Sequence, residues 1–171
     1  MSDFLDNLTD KLAYAYEPKL FYLDAFPATE ITTANTVSTL ATYSSNKLKA
    51  AEHIKVGYRI YIDNQADANE AFEITLSFGS NTFTATPTVT TAESAVILVS
   101  AEAVRISSSK FILNTEIVLQ EADGTITHFF DCSSVDDSEV TEVTITAENT
   151  SAINAGCDLQ GSGGYVLVDT F

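Results

Sequence analysis

The sequence predicts an all-β protein, an antiparallel sandwich, and three observations carry that prediction. Short runs of alternating apolar and polar residues follow one another almost without a break from residue 36 to the end. Clusters of Gly, Asn, Asp and Ser separate these runs as turns do. Charged residues make up only 19% of the chain against 45% hydrophobic, and Thr, Ser and Asn supply much of the remaining polar surface. Between the runs no helix is long enough to carry a crossover, so the strands must pair antiparallel.

The first segment is the exception. Phe4, Leu8, Leu12 and Tyr16 recur at helical spacing, with Leu5 and Ala15 beside them. Asp3 and Asp6 suit the positive end of a helix dipole, and Pro18 stops the helix near Glu17. An amphipathic helix over 3–16 is marginal alone, so its stripe must pack on something: its own domain or a neighbouring subunit. Residues 19–37 read as a connector, FYLDAF broken by Pro27 and then a polar extended run, which suits an arm laid over another surface.

The strands follow in order. The first covers 36–43. Ile54-Lys55-Val56-Gly57-Tyr58 carries a turn at Gly57, and 59–63 continues with Ile60 and Ile62 on one face. FEITLSFGSNTFTAT (72–86) reads as a hairpin, with Phe72, Ile74, Leu76 and Phe78 facing a core and Gly79-Ser80 at the turn. AVILVSAEAVRI (95–106) begins apolar on both faces, as a strand covered on both sides would. The run 110–120 turns at Asp123-Gly124 into 125–132, and 140–147 follows. Gly161-Ser162-Gly163-Gly164 leads into a last strand over 165–170. Residues 36–171 suit an eight-stranded jelly roll, which leaves 1–35 as a helix and a docking arm.

Charge narrows the function. With 8 basic and 24 acidic residues the formal net charge is −16, which argues against nucleic acid and against anionic membranes. No apolar run approaches 18 residues, and MSDFLDNLTDKL lacks the basic start and apolar centre of a secretory leader, so synthesis in the cytosol is expected. Cys132 and Cys157 do not make a disulfide scaffold and read as reduced, buried thiols.

Catalytic chemistry has few candidates. GSGG at 161–164 lacks the Lys-Ser/Thr and the helix of a phosphate loop, and no His follows Ser162 to complete a triad. A zinc site would have to draw on His53, His128, Cys132 and Cys157, and His128 and Cys132 stand too far apart along one strand to share an ion easily. Asp131, Asp136, Asp137 and Glu139 gather in one acidic loop, and Asp63, Asp67 and Glu70 in another. Neither fits the twelve-residue calcium pattern, and a solvated turn accounts for each. Paired carboxylates could cleave a glycoside, but a sugar groove calls for aromatic platforms. There is no Trp, and most Tyr and Phe fall at core-facing positions. No catalytic, cofactor or metal site is expected, and no enzyme.

The runs TLATYSSNKLKAAEHIKVGYRIYI, FEITLSFGSNTFTAT, ILVSAEAVRISSSKFILNTEIVLQEADGTITHFF and VTITAENTSAINAGCDLQGSGGYVLVD carry a resemblance. In order and spacing, over 37–171, they resemble the jelly-roll domain that recurs in virion proteins of tailed bacteriophages. Two positions depart from that family's pattern: Tyr58 follows Gly57 in place of an Asp, and Ala95 stands near a frequent Trp. The resemblance implies a structural protein of the virion, without cofactor and often a homotrimer, that occurs as a head decoration protein, a fibre head or a tail component. A helix and arm ahead of a compact domain suit the first. The decoration protein would bind the major capsid protein or another virion protein through Phe4, Leu8, Leu12, Tyr16, Phe21, Tyr22 and Phe26. The alternative is a tail or fibre component with a receptor- or carbohydrate-binding tip.

Overall fold

The computed structural model describes residues 19–23, 29–30, 36–65, 68–91, 93–151 and 157–169. They form β1 (Lys19–Leu23), β2 (Thr29–Glu30), β3 (Ser38–Ser44), β4 (His53–Asn64), β5 (Glu70–Phe78) and β6 (Asn81–Ala85). β7 (Thr88–Val89), β8 (Ser94–Ser107), β9 (Lys110–Glu121), β10 (Ile126–Asp136), β11 (Glu142–Asn149) and β12 (Cys157–Asp169) follow, with a single 3-10 turn at Asp137–Glu139. No α-helix occurs among the described residues, and the helix expected over 3–16 lies outside them.

Two antiparallel sheets make the sandwich. The larger runs β1-β12-β4-β8-β9-β10, with β2 also on β12; the smaller runs β3-β11-β5-β6, with β7 on β5. The pairings are nested. β5 pairs with β6, β4 with β8, β3 with β11, and β1 with β12. The chain is thus one long hairpin, folded back at Gly79-Ser80 and rolled so that successive pairs close alternate layers. That is a jelly roll. FEITLSFGSNTFTAT is its tip, and Gly79 supplies the positive φ of 58° that the tight turn needs. These four pairs are the eight strands of the roll; the sequence predicts seven of them, all but β1, and predicts β9 and β10 as well. The hairpin β9–β10 is an addition that widens the larger sheet beyond β8, and β2 and β7 are two-residue ladders.

Alternation builds the core. Phe72, Ile74, Leu76 and Phe78 of β5 are all buried, facing Ile54, Ile60 and Ile62 of β4 and Ile97 and Val99 of β8 across the sandwich. The buried Tyr58 hydroxyl donates to the Leu40 carbonyl at 3.2 Å, tying the two sheets together.

The strands differ from the sequence reading in four places. Gly57 is no turn: it lies in mid-strand in the continuous β4. The glycines 161–164 do not precede the last strand but lie within it, where a bulge between Gly161 and Gly163 lets β12 run from Cys157 to Asp169. β8 is covered on its inner face only; among its outward side chains Leu98 and Val104 are exposed. Lys19–Leu23, within the stretch read as a connector, is an edge strand of the larger sheet, and Thr29–Glu30 adds a short ladder at the other end of β12. The first is hard to see in the sequence because Phe21, Tyr22 and Leu23 break the period of two that marks a half-buried strand, and the second, at two residues, is too short to show any period.

Candidate functional site

Alternation that fills the core on one side of the larger sheet leaves the other side to be read row by row. One row runs Tyr165–Gly57–Ser100–Glu116–Phe130 across β12, β4, β8, β9 and β10. Its neighbour on one side is Arg59–Leu98–Val118–His128, and on the other Leu167–Lys55–Glu102–Asn114–Cys132. Of the eight exposed large apolar side chains among the described residues, six stand on this face: Tyr61, Leu98, Val104, Ile126, Phe130 and Tyr165. Ile106, beside the bulge between Arg105 and Ser107, is a seventh at its rim, and Phe130 is 78% exposed. A monomer rarely leaves so much apolar surface on one sheet face without a use for it.

The face is not flat. Gly57 and Ser100 give the central row a low floor, and Tyr165 and Phe130 stand at its two ends. The groove between them, about 500 Å³, is also lined by Lys55, Glu102, Asn114 and Cys132. Tyr165 leans inward: a Cβ on Gly57 would lie 2.6 Å from its Cε1. The glycine therefore exists to seat the ring.

Several charges on the face are paired. Glu102 Oε1 lies 2.6 Å from His53 Nε2 and 3.3 Å from Lys55 Nζ. The His53 contact, then Lys55, holds the Glu102 carboxyl below its ordinary range. Glu116 Oε1 lies 2.9 Å from His128 Nδ1. Arg59 reaches over the Tyr61 ring, 4.6 Å from its centroid. These groups can hydrogen-bond a partner.

A second polar group lies buried at one end of the sandwich. Asn64 Nδ2 donates to the carbonyls of Ala68, Val89 and Thr90 at 3.1 to 3.2 Å. Asn149 Nδ2 donates to Glu70 Oε2 at 2.9 Å, and its Oδ1 accepts from the Ser151 amide. Glu70 is wholly buried, not a solvated loop acid. The Cys157 thiol opposite Asn64 is pushed up to about 12, by burial first and then by the negative charge of Glu70, Asp158 and Asp63. This assembly staples loops.

The candidate residues that the sequence singles out scatter over this frame. His53 and His128 lie on the outer face, each against a glutamate, and do not meet. Cys157 points into the core, whereas Cys132, expected buried, is exposed on the outer face of β10. The two thiols are on opposite sides of one sheet. Asp137 of the acidic 131–139 loop is held by Arg105 at 3.1 Å, and Asp136 lies 3.8 Å from Lys110. No group of three or more His, Cys, Asp and Glu positioned for a metal occurs among the described residues. Phe4, Leu8, Leu12, Tyr16 and Phe26 lie outside the described residues, and Phe21 and Tyr22 are placed only by the backbone of β1, opposite Val166 and Tyr165. The exposed aromatics Tyr61, Phe130 and Tyr165 do not stand out in the sequence. The one signal they carry is a tyrosine or phenylalanine in phase with Lys, Arg, Glu and His on its strand.

No family pattern and no curated protein sequence matches the chain. Solved structures resemble it in outline. Peanut lectin matches over 91% of this chain and 99% of the lectin, at 10% identity and a TM-score of 0.43. The VP2 subviral particle of infectious bursal disease virus matches over 89% of this chain at 10% identity and a TM-score of 0.38, and this chain spans 33% of VP2. The CBM2 module of the evolved Dit of Lactobacillus casei BL23 phage J-1 matches over 89% of this chain and 77% of that module, at 14% identity and a TM-score of 0.36. At such distances these likenesses carry no inference about ligand or partner.

Proposed function

We propose that this chain is a structural virion protein of a tailed bacteriophage, a decoration protein that adheres to the assembled head and stabilises it. The observation that carries the reading is the concentration of exposed apolar side chains on one face of the larger sheet, with Glu102 and Glu116 of that face paired to His53, Lys55 and His128. Such a face suits protein contact. Contacts that exist only in the assembled particle stabilise it by mass action, with no chemical step. The major capsid protein is the proposed partner, the N-terminal segment with Phe4, Leu8 and Leu12 the proposed grip, and a homotrimer the proposed form. The acidic exterior, at a net −16, keeps decorated particles apart.

The test compares particles made with and without the protein. Undecorated heads are expected to form, to fall apart at a lower temperature, and to regain stability when purified protein is added back. Phe130→Asp should weaken that rescue by about ten-fold or more in apparent affinity, the loss of one well-packed aromatic anchor.

One observation favours a tail or fibre component with a glycan-binding tip: the Tyr165–Phe130 groove sets two aromatic rings beside Lys55, Glu102 and Asn114. Glycan-array binding abolished by Tyr165→Ala, with heads equally stable without the protein, would establish this reading against decoration.

A further inference from the structure

Charge balances on the outer face of the larger sheet. Across its three central rows Lys55 and Arg59 offset Glu102 and Glu116, on a chain whose formal net charge is −16. We propose that two free copies of this chain pack these faces together about a two-fold axis that lies parallel to the strands, between β8 and β9.

Two observations point to a second copy as the occupant. The first is charge. Acidic surfaces of like chains repel each other, and a balanced face with exposed apolar side chains removes that barrier. The second is shape. Phe130 on β10 is 78% exposed, and the low floor at Gly57 lies on β4, three strand spacings away in the same row. Knob and hollow thus sit at equal distances on either side of a line between β8 and β9. A half-turn about that line sets each Phe130 over the other copy's Gly57, beside its Tyr165 ring.

The same half-turn matches the other side chains by type. Leu98 meets the other copy's Val118, and Tyr61 meets its Ile126. Ser100 meets Glu116 and Asn114 meets Glu102, a hydrogen-bond donor opposite each carboxylate. Other axes lose this match. Along β8 the axis stacks Glu102 on Glu102, along β9 it stacks Glu116 on Glu116, and between β4 and β8 it leaves Phe130 outside the contact. The area suffices. Four strands at about 4.8 Å and five rows at about 6.8 Å cover roughly 650 Å² in outline, near the ~800 Å² of accessible surface that each partner in a stable pair gives up. The pair belongs to the free chain, whereas the homotrimer proposed above is the form on the head. It uses the face on which the adhesion reading rests, so a head that takes this face must displace the second copy.

Sedimentation equilibrium of the full-length chain should show monomer and dimer exchanging with a Kd of about 1–10 μM. Phe130→Asp strikes the contact twice, so it should weaken association about a hundred-fold, ten-fold per copy, while circular dichroism shows the strands intact. The register has its own test. Lys55 faces the other copy's Cys132 but lies three strand spacings from its own, and Cys157 is buried. Lys55→Cys treated with a short bismaleimide should therefore yield covalent dimers. Wild type should not, because its two Cys132 thiols lie on opposite sides of the axis. A chain that stays monomeric at about 100 μM, well above that Kd, would overturn the proposal, as would a trimer. So would a dimer indifferent to Phe130→Asp, or one in which Lys55→Cys cross-links no better than wild type. The measurement involves no particle. A monomeric chain that still rescues heads would sink the pair and leave decoration standing; a paired chain that fails on heads would do the reverse.

Discussion

Two glycines in the larger sheet set the limits of what single residues tolerate. A Cβ on Gly164 would lie 2.0 Å from the Gly57 carbonyl oxygen and 2.8 Å from the Tyr58 Cα, both backbone atoms in the middle of β4. Neither can move without breaking the β4–β12 ladder, so Gly164→Ala is expected to destabilise by about 3 kcal/mol, measured by urea denaturation. At Gly57 the obstruction is the Tyr165 ring, a side chain free to swing outward. Gly57→Ala is therefore expected to cost only about 1 kcal/mol, while evicting Tyr165 from the groove and weakening whatever binds there. Equal losses at the two positions would contradict this account. On the same face, Glu102 offers a pH signature. Its folded pKa is depressed by His53 and Lys55, so its contribution is present above the ordinary carboxylate range and is lost as pH falls through the depressed value. The stability gap between wild type and Glu102→Gln should thus be open at pH 7 and close on acidification below about pH 4. A gap that widens with acid would invert the sign and refute the assignment.

At the scale of elements, one side chain fastens the end of β8 to two turns. Arg105, with only 11% of its side chain exposed, donates from Nε to the Ala51 carbonyl at 2.8 Å and from its guanidinium to the Lys49 carbonyl and to Asp137. It also lies over the Phe111 ring, 4.5 Å from the centroid. Arg105→Ala should cost roughly 2–4 kcal/mol, and Arg105→Lys should recover only part, since an ammonium cannot span these acceptors at once. Calorimetric unfolding of the pair checks both. Such a clamp illustrates which parts of the fold the sequence could disclose. Strands with one wet face, β5, β9 and β11, were legible from alternation because water and core select residues at a period of two. Gly57 and Gly164 were misread as turn residues because what requires each of them, the Tyr165 ring over Gly57 and the β4 backbone at Gly57 and Tyr58 against Gly164, is more than a hundred positions away in the chain. Glu70 and Asp137 looked like solvated loop acids for the same reason: Asn149 and Arg105, their partners, are distant in the chain. The exposed apolar face was illegible because a Leu98 that faces solvent and an Ile97 that faces the core are alike in type and differ only in parity.

For the molecule as a whole, the nested order means that the first pair in space is the last in sequence. The roll can start at the β5–β6 tip, whose strands are two residues apart, and must finish by joining β1 to β12 across nearly the whole chain. Late, non-local closure of this kind is entropically slow, on the order of milliseconds to seconds. It also makes the N-terminal stretch two things at once. Residues 1–18 precede the roll, whereas Lys19–Leu23 closes it and covers an edge of β12 that would otherwise offer unpaired backbone groups to other chains. Removing 1–18 should leave the unfolding free energy of the sandwich, measured in urea, within about 1 kcal/mol of wild type. Removing 1–35 should lower it by about 3 kcal/mol or more and send the protein into larger species on size exclusion, because the β12 edge is bared. If both truncations unfold alike and remain the same size, β1 contributes nothing to closure, and the roll must be sealed by the β3–β11 and β4–β12 ladders alone.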